Sequence, residues 1–238
     1  MTIVLIAAEA RELAGVLSRV PHSPTEGMPI RFVRVGQWGK HRLICAADGP
    51  GSELAGKAAE VALERFQPDL IWSVGLCGAL DDALVAGEVL TATEVVHASS
   101  GARYPAGGSP ASRRNGKKET GKPIVVVSQD RVASTADEKR GLRSLGAVVE
   151  MEAAAVARVA LGAQVPFGCV KAVSDLASEG FQVDLNAARG SDGRFRTSHI
   201  LWDALRKPLK GLPELWRLQG RSRQAAENLG EFIVNCSI

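Results

Sequence analysis

The sequence predicts an α/β protein of three layers: a central mixed, mainly parallel sheet flanked by helices, with a helical extension at the C-terminus. Two observations carry this expectation. Short runs rich in Val, Ile and Leu alternate with Ala-rich helical patterns from residue 2 to about residue 175, the signature of βα units around a buried sheet. Aromatic residues are only 5% of the 238 residues, so Ala, Val, Leu and Ile must build the core, a mix suited to helices packed closely on parallel strands.

The elements follow in order. Apolar runs predict strands over 2–8, 30–35, 41–47, 69–74, 88–96, 123–128, 147–151 and 167–174. Helical spacing predicts helices over 9–19, 52–66, 135–145 and 152–163. Glu9 and Glu12 fall in the first turns of the first helix, and Ser134-Thr135-Ala136-Asp137-Glu138 places acids at the start of the third, where the helix dipole favours them. Residues 98–122 are a Ser/Gly/Pro/Lys/Arg stretch without periodicity and read as a long loop inside the domain. Beyond residue 180 the pattern becomes Ile200-Leu201-Trp202-Leu205 and Leu212-Leu215-Trp216-Leu218, broken by Pro208 and Pro213, which reads as short amphipathic helices with basic faces. The economical division is one α/β domain over 1–188 and a basic amphipathic extension over 189–238.

Composition narrows the class. At 45% hydrophobic and 23% charged the chain is an ordinary globular protein rather than a fibrous or disordered one. Its apolar runs meet charge well before the roughly 20 residues of a membrane span. Met1-Thr2-Ile3-Val4-Leu5-Ile6 lacks a basic leader and runs into Glu9, Arg11 and Glu12, so the chain is expected to stay in the cytoplasm. Cys45, Cys77, Cys169 and Cys236 are widely spaced without ligand-type intervals, and the first three sit in apolar strands as buried thiols. No metal site is expected. The net charge of +3 is unevenly spread: residues 103–122 hold six basic residues against Glu119, and residues 189–223 hold nine against Asp192, Asp203 and Glu214. The body is therefore acidic and carries two basic segments. Neither segment matches a nucleic-acid recognition motif, and no nucleic-acid partner is expected.

Two familiar motifs fail. Gly51-Ser52-Glu53-Leu54-Ala55-Gly56-Lys57 has phosphate-loop spacing, but Ala58 stands where a Mg²⁺-binding hydroxyl is required. The first strand runs into Ala7-Ala8-Glu9 without the glycines of a dinucleotide fingerprint. What remains is a set of features at strand ends. Asp48-Gly49-Pro50-Gly51-Ser52 precedes a helix and offers N–H groups to an anion, or is simply a tight turn. Gly75-Leu76-Cys77-Gly78 follows an apolar strand as a second glycine turn. Val149-Glu150-Met151-Glu152 and Ala172-Val173-Ser174-Asp175 each deliver acids to a strand end. Glu152 and Asp175 are also read as ordinary helix-start residues. In open α/β sheets ligands bind beyond the carboxyl ends of the strands, so these segments together point to a cleft.

As a set, Glu12 on the opening strand-helix unit, Gly49-Pro50-Gly51, Gly75-Leu76-Cys77-Gly78, Val149-Glu150-Met151-Glu152-Ala153 and Val173-Ser174-Asp175 resemble the nucleoside phosphorylase and nucleosidase family. The likeness covers roughly residues 2–177. Ser191-Asp192-Gly193-Arg194 and the Leu/Arg-rich tail resemble, more loosely, its hopanoid-associated branch. The resemblance implies a phosphorylase/hydrolase-like fold, no cofactor beyond phosphate as a co-substrate, and cleavage of the N-glycosidic bond of a purine nucleoside, best an adenosine carrying a 5′ substituent. It casts Asp175 as the acid at purine N7 with Ser174 orienting it. Glu152 and Met151 would hold the ribose, and Glu150, Val132, Gly75, Leu76 and Cys77 would complete the substrate pocket. Glu12 would activate a water. Phosphorolysis would instead need Gly49, Gly51, Ser52 and Arg11 to hold a dianion, and Glu12 tips the balance slightly toward hydrolysis.

Two departures from the family pattern stand out: Asp130-Arg131-Val132 offers no aromatic to stack a base, and Leu76-Cys77 replaces a serine-bearing turn. They leave open a non-catalytic nucleoside-binding protein of the same fold. The family further implies a homo-oligomer, dimer or larger. The basic tail with Trp202, Leu205, Arg206, Lys207, Trp216 and Arg217 either packs on its own domain or meets an anionic membrane surface.

Overall fold

The computed structural model describes residues 1–114, 117–119, 123–181, 186–187, 190 and 211–237. The strands are β1 (Thr2–Ala7), β2 (His22–Pro24), β3 (Phe32–Trp38), β4 (His41–Ala47), β5 (Leu70–Ala79), β6 (Val89–His97), β7 (Arg103–Pro105), β8 (Ala111–Arg114), β9 (Lys117–Glu119), β10 (Pro123–Ser128), β11 (Val148–Glu150), β12 (Phe167–Asp175) and β13 (Cys236–Ser237). A 3₁₀ turn over Ala10–Leu13 leads into α1 (Ala14–Leu17); α2 (Ser52–Phe66), α3 (Ala136–Leu142), α4 (Ala153–Gly162) and α5 (Gly211–Asn235) follow.

Among the described residues, one ten-stranded mixed sheet runs β11-β10-β6-β12-β5-β1-β4-β3-β2, with β7 added on β6. The centre is parallel: β1 pairs with β4 and β5, β12 with β5, and β10 with β6 and β11. β5 is the long strand that shapes the fold. Its first half lies on β1, and its last two residues, Gly78 and Ala79, pair antiparallel with Val149 and Val148 of β11. That extra pairing joins the two ends of the β11-to-β5 stretch, so this part of the sheet closes on itself and its strand ends converge.

Ala-rich faces explain the layers. α2 and α4 bury Ala55, Ala58, Ala59, Ala62, Ala153, Ala157 and Ala160 on one side of the sheet, small side chains that let helix and strand backbones approach closely. The 3₁₀ turn, α1 and α5 cover the other side through Leu13, Val16, Ala225, Leu229 and Ile233. The contact is closest between Gly15 and Gly230, where a Cβ on Gly230 would collide with the Gly15 backbone.

Four local expectations are corrected. The helix expected over 9–19 is a 3₁₀ turn followed by one α turn; Gly15, a poor helix former, sits there because α5 passes directly against it. Residues 98–122 are not a plain loop, for β7 pairs with β6, and β8 pairs with both β9 and β13. Gly75-Leu76-Cys77-Gly78 is not a turn but the second half of β5. The short helix expected around Leu212–Leu218 is the start of a 25-residue helix, α5, that runs through Pro213, because a proline in a first turn removes only an N–H that would be unpaired anyway. Ser191–Arg194, Trp202, Leu205, Arg206 and Lys207 lie outside the described residues.

Candidate active site

The converging strand ends enclose a cleft of about 200 Å³ whose lining includes Glu12, Glu150, Glu152, Asp175, Lys139 and Phe181. Its carboxylates reach it by three routes, each set by a local feature of the chain.

Asp175 ends β12. The register against β5 slips between Val173, opposite Cys77, and Asp175, opposite Gly78, and such a bulge re-aims the side chains beside it. The Asp175 carboxylate then fills space above Gly78, where a Cβ would come within 2.8 Å of Oδ2. The Ser174 hydroxyl lies 2.7 Å from Asp175 Oδ1 and 3.1 Å from the Cys77 carbonyl, and donates to one at a time. The Lys139 ammonium of α3 donates to Asp175 Oδ2 at 2.5 Å and to the Leu176 carbonyl at 2.6 Å.

Glu12 enters from the 3₁₀ turn. Its carboxylate occupies the volume that a Cβ on Gly75 would need, and Gly75 itself has φ +134, a backbone region open to glycine and strained for other residues. The two glycines of β5 thus make room for the two carboxylates. This is why a glycine pair stands inside a strand, where it would ordinarily weaken pairing.

Glu150 and Glu152 close β11 and open α4. Glu150 Oε2 accepts from the Glu152 and Ala153 N–H groups at 3.0 and 2.9 Å and from the Lys171 ammonium at 2.9 Å. Lys171 also donates to Ser73 Oγ at 3.1 Å. Glu150 therefore faces inward and fixes the start of α4, while Glu152 reaches across to the loop before α2. Glu152 Oε1 accepts the Gly51 N–H at 2.7 Å and Oε2 the Met151 N–H at 3.2 Å.

Crowding carboxylates in a cleft screened from water sets their charge states. Glu12 keeps part of its surface open to the cleft, yet the protein around it raises its pKa to about 8, through desolvation first and then the negative charge of Glu152. Glu152 rises to about 7 for the same reasons, with Glu150 as its charged neighbour. Burial also opposes ionisation of Glu150, but the Lys171 ammonium outweighs it and holds that carboxyl below its ordinary value. The Cys77 thiol on the wall is pushed well up by burial and stays protonated. Near neutral pH the site thus holds Glu150 as a fixed anion beside two carboxyls, Glu12 and Glu152, poised to exchange protons.

The Lys171–Glu150 pair is buried on both sides, and removing one partner of such a pair leaves an uncompensated charge. We expect Lys171→Met to lower stability by about 3–5 kcal/mol, and Lys171→Met with Glu150→Gln to recover most of it, as read by denaturant unfolding. A double variant no more stable than the single one would contradict this role.

Of the residues singled out in the sequence, Glu12, Leu76, Cys77, Val132, Glu150, Met151, Glu152, Ser174 and Asp175 line the cleft, and Gly75 lies against Glu12. The expected anion site does not assemble. Gly51 gives its N–H to Glu152 and Ser52 its hydroxyl to Asp130, while Arg11 is exposed and paired with Glu9. Gly49, Gly51, Ser52 and Arg11 are not part of the cleft lining, which takes Pro50 from that loop. The sequence reading missed Lys139, Lys171 and Phe181. Lys171 was detectable, since a lysine inside the apolar run of β12 requires a carboxylate partner. Lys139 sits in a charged run, Asp137-Glu138-Lys139-Arg140, that resembles a solvated helix face. Phe181 places an aromatic ring on the wall, from beyond Asp175 rather than from the Asp130 region.

The fold and cleft define an α/β protein that presents clustered carboxylates to a small ligand. The sequence pattern of the Phosphorylase superfamily matches residues 2–206, and the chain belongs to that superfamily. It is 27% identical over 208 residues to the 5′-methylthioadenosine/S-adenosylhomocysteine nucleosidase of Bacillus thuringiensis, covering 75% of this chain and 87% of that one. The nucleosidase of the same description from Staphylococcus epidermidis is 25% identical over 166 residues, 60% of this chain and 73% of the relative. Among solved structures, S-adenosylhomocysteine nucleosidase from Streptococcus pyogenes, in complex with 5-methylthiotubericidin, superposes with a TM-score of 0.71 at 19% identity over 99% of this chain and 95% of that one. A futalosine hydrolase mutant of Helicobacter pylori gives 0.69 at 16% identity over 98% and 96%. Both share the fold.

Proposed function

We propose that this protein hydrolyses the N-glycosidic bond of a purine nucleoside, an adenosine carrying a 5′ substituent, and releases the free base. The observation that carries the reading is the placement of Glu12 and Asp175 in one cleft, each seated over a glycine of β5. Cleavage builds positive charge on the ribose and negative charge on the departing base. Asp175, with Ser174 at its other oxygen, is the group that hands a proton to purine N7. Glu152 binds the ribose hydroxyls, with Met151 against the sugar and Glu150 fixing the start of α4 beneath them. The carboxylate cluster also stabilises the cationic sugar. Leu76, Cys77, Val132 and Phe181 supply walls for the base. Glu12, with its pKa raised to about 8, is a base matched to neutral pH and takes the proton of the attacking water.

Water is favoured over phosphate as the nucleophile because the groups that would hold a dianion are engaged elsewhere. Glu152 accepts the Gly51 N–H, Asp130 accepts the Ser52 hydroxyl, and Arg11 pairs with Glu9. A dianion in this cleft would face carboxylates. The similarity to 5′-methylthioadenosine/S-adenosylhomocysteine nucleosidases supports the adenine base and the 5′ substituent. The test is base release from adenosine, 5′-methylthioadenosine and adenosines with larger 5′ groups. The 5′-substituted compounds are expected to react fastest, and release from none of them overturns the reading.

The proposal includes a cytoplasmic homo-oligomer whose basic C-terminal segment touches anionic membranes. Trp216, near the start of α5, is 76% exposed, which supports the last element, and sedimentation with anionic liposomes tests it: a chain left wholly in the supernatant contradicts it.

A further inference from the structure

Lys139 is the one cation of α3 that the fold takes inside: it is 1% exposed, lines the cleft and places its ammonium 2.5 Å from Asp175 Oδ2. A carboxylate and purine N7 are both hydrogen-bond acceptors, so they meet productively only when a proton lies between them. Lys139 is in contact with that carboxylate and carries such a proton. Its ammonium has three N–H donors; one serves Asp175, one the Leu176 carbonyl, and the Phe181 ring lies 5.7 Å from the nitrogen.

We propose that Lys139 is the proton reservoir of Asp175: the ammonium passes a proton to the Asp175 carboxylate, which delivers it to the departing base. The inference rests on the proposed glycosidic cleavage and deepens it. In the step, the C1′–N9 bond breaks and its electron pair stays with the base. N7 gains a proton from Asp175, and Lys139 is left as a neutral amine. Water forms the new bond to C1′ and gives its proton to Glu12. Solvent then returns a proton to Lys139 and takes one from Glu12, which balances the cycle.

The surroundings suit this role. The other charged side chains of α3 and of its C-cap are engaged away from the pair: Glu138 with Arg131, Asp137 with Arg140, and the C-cap Arg143 with Asp81 and Asp82. Facing the pair are Ser174 on its own strand, the Cys77 thiol of β5, Arg131 before α3, and Phe181. Lys171 is committed to Glu150 and Ser73. Lys139 is therefore the cation that contacts Asp175 among the described residues.

A lysine that only braces the fold and one that supplies a proton differ in how their loss depends on pH. Without the ammonium, Asp175 must draw its proton from water, which becomes harder as pH rises. We expect Lys139→Met and Lys139→Gln to lower kcat about 100-fold near pH 8 but only about threefold near pH 5, with KM within about threefold of wild type. The ratio of wild-type to variant kcat at each pH cancels the titrations of Glu12 and Glu152, which both proteins share. Lys139→Gln keeps a hydrogen-bond donor beside Asp175 and serves where the Met variant does not fold. A ratio flat across pH in the folded variant overturns the proposal and leaves the glycosidic reading standing. A wild-type protein that cleaves no nucleoside removes that reading instead.

Discussion

Asp175→Asn is expected to lower kcat by about two to four orders of magnitude, the range of a lost general acid, while nucleoside binding stays within a few-fold. The substitution keeps the shape of a side chain seated over Gly78 and keeps an oxygen for Lys139. It removes the group that can carry a proton to N7. The same variant separates an enzyme from a non-catalytic nucleoside-binding protein, because a binder has affinity to keep and no rate to lose. Steady-state kinetics and calorimetric binding on one preparation make the comparison. A variant with wild-type kcat would remove Asp175 from the chemistry.

Glu12→Gln is expected to cost a similar factor, about 10²–10⁴ in kcat, if Glu12 is the base for water. Its pH behaviour gives a second, independent reading. The carboxyl titrates near 4.5 when unperturbed and near 8 in the fold. Between those values the folded protein holds a proton that the unfolded chain has lost, so stability falls as pH rises through the window and the loss is complete above it. Gln carries no such charge. The Tm of Glu12→Gln should therefore exceed that of wild type by more at about pH 9 than at about pH 5, where both forms are neutral in the fold. A Tm difference independent of pH would show that Glu12 is not held in an environment hostile to its charge. In the wild-type enzyme kcat/KM should climb as pH passes through about 7 to 8, as Glu152 and Glu12 lose their protons.

Most of the central sheet was legible because its signal is local. β1, β4 and β10 end within a residue or so of the apolar runs that predict them, and α2 coincides with its Ala-rich pattern. The misplaced elements depend on contacts distant in sequence. The helix after β1 is curtailed where Gly15 meets Gly230 of α5, some two hundred residues away, and nothing near Gly15 announces it. The glycines of β5 looked like a turn because a glycine pair usually marks one. Their purpose is set by Glu12 and Asp175, which come from opposite ends of the domain. The basic stretch 103–122 lacks the alternation of a half-buried strand, and its strands pair with β6 and with the C-terminal β13.

The candidate site shows the same division. Glu12, Glu152 and Asp175 were visible as acids at strand ends and helix starts, and the cleft gathers all three. The basic groups were less legible. Arg11 looked suited to an anion but pairs with Glu9 at the surface, and the cations that reach the carboxylates are two lysines inside helix and strand. The resulting cleft is arranged to move protons, and in the loop beside it the Gly51 N–H and the Ser52 hydroxyl are already held by carboxylates.

The central claim is that this cleft directs water to the sugar. The most direct measurement is the product formed by wild-type protein from a 5′-substituted adenosine, in phosphate-free buffer and again at saturating inorganic phosphate. The expected result is equal rates of adenine release in both buffers, with free pentose as the sugar product. Release only when phosphate is present, with a pentose 1-phosphate accumulating, would contradict it.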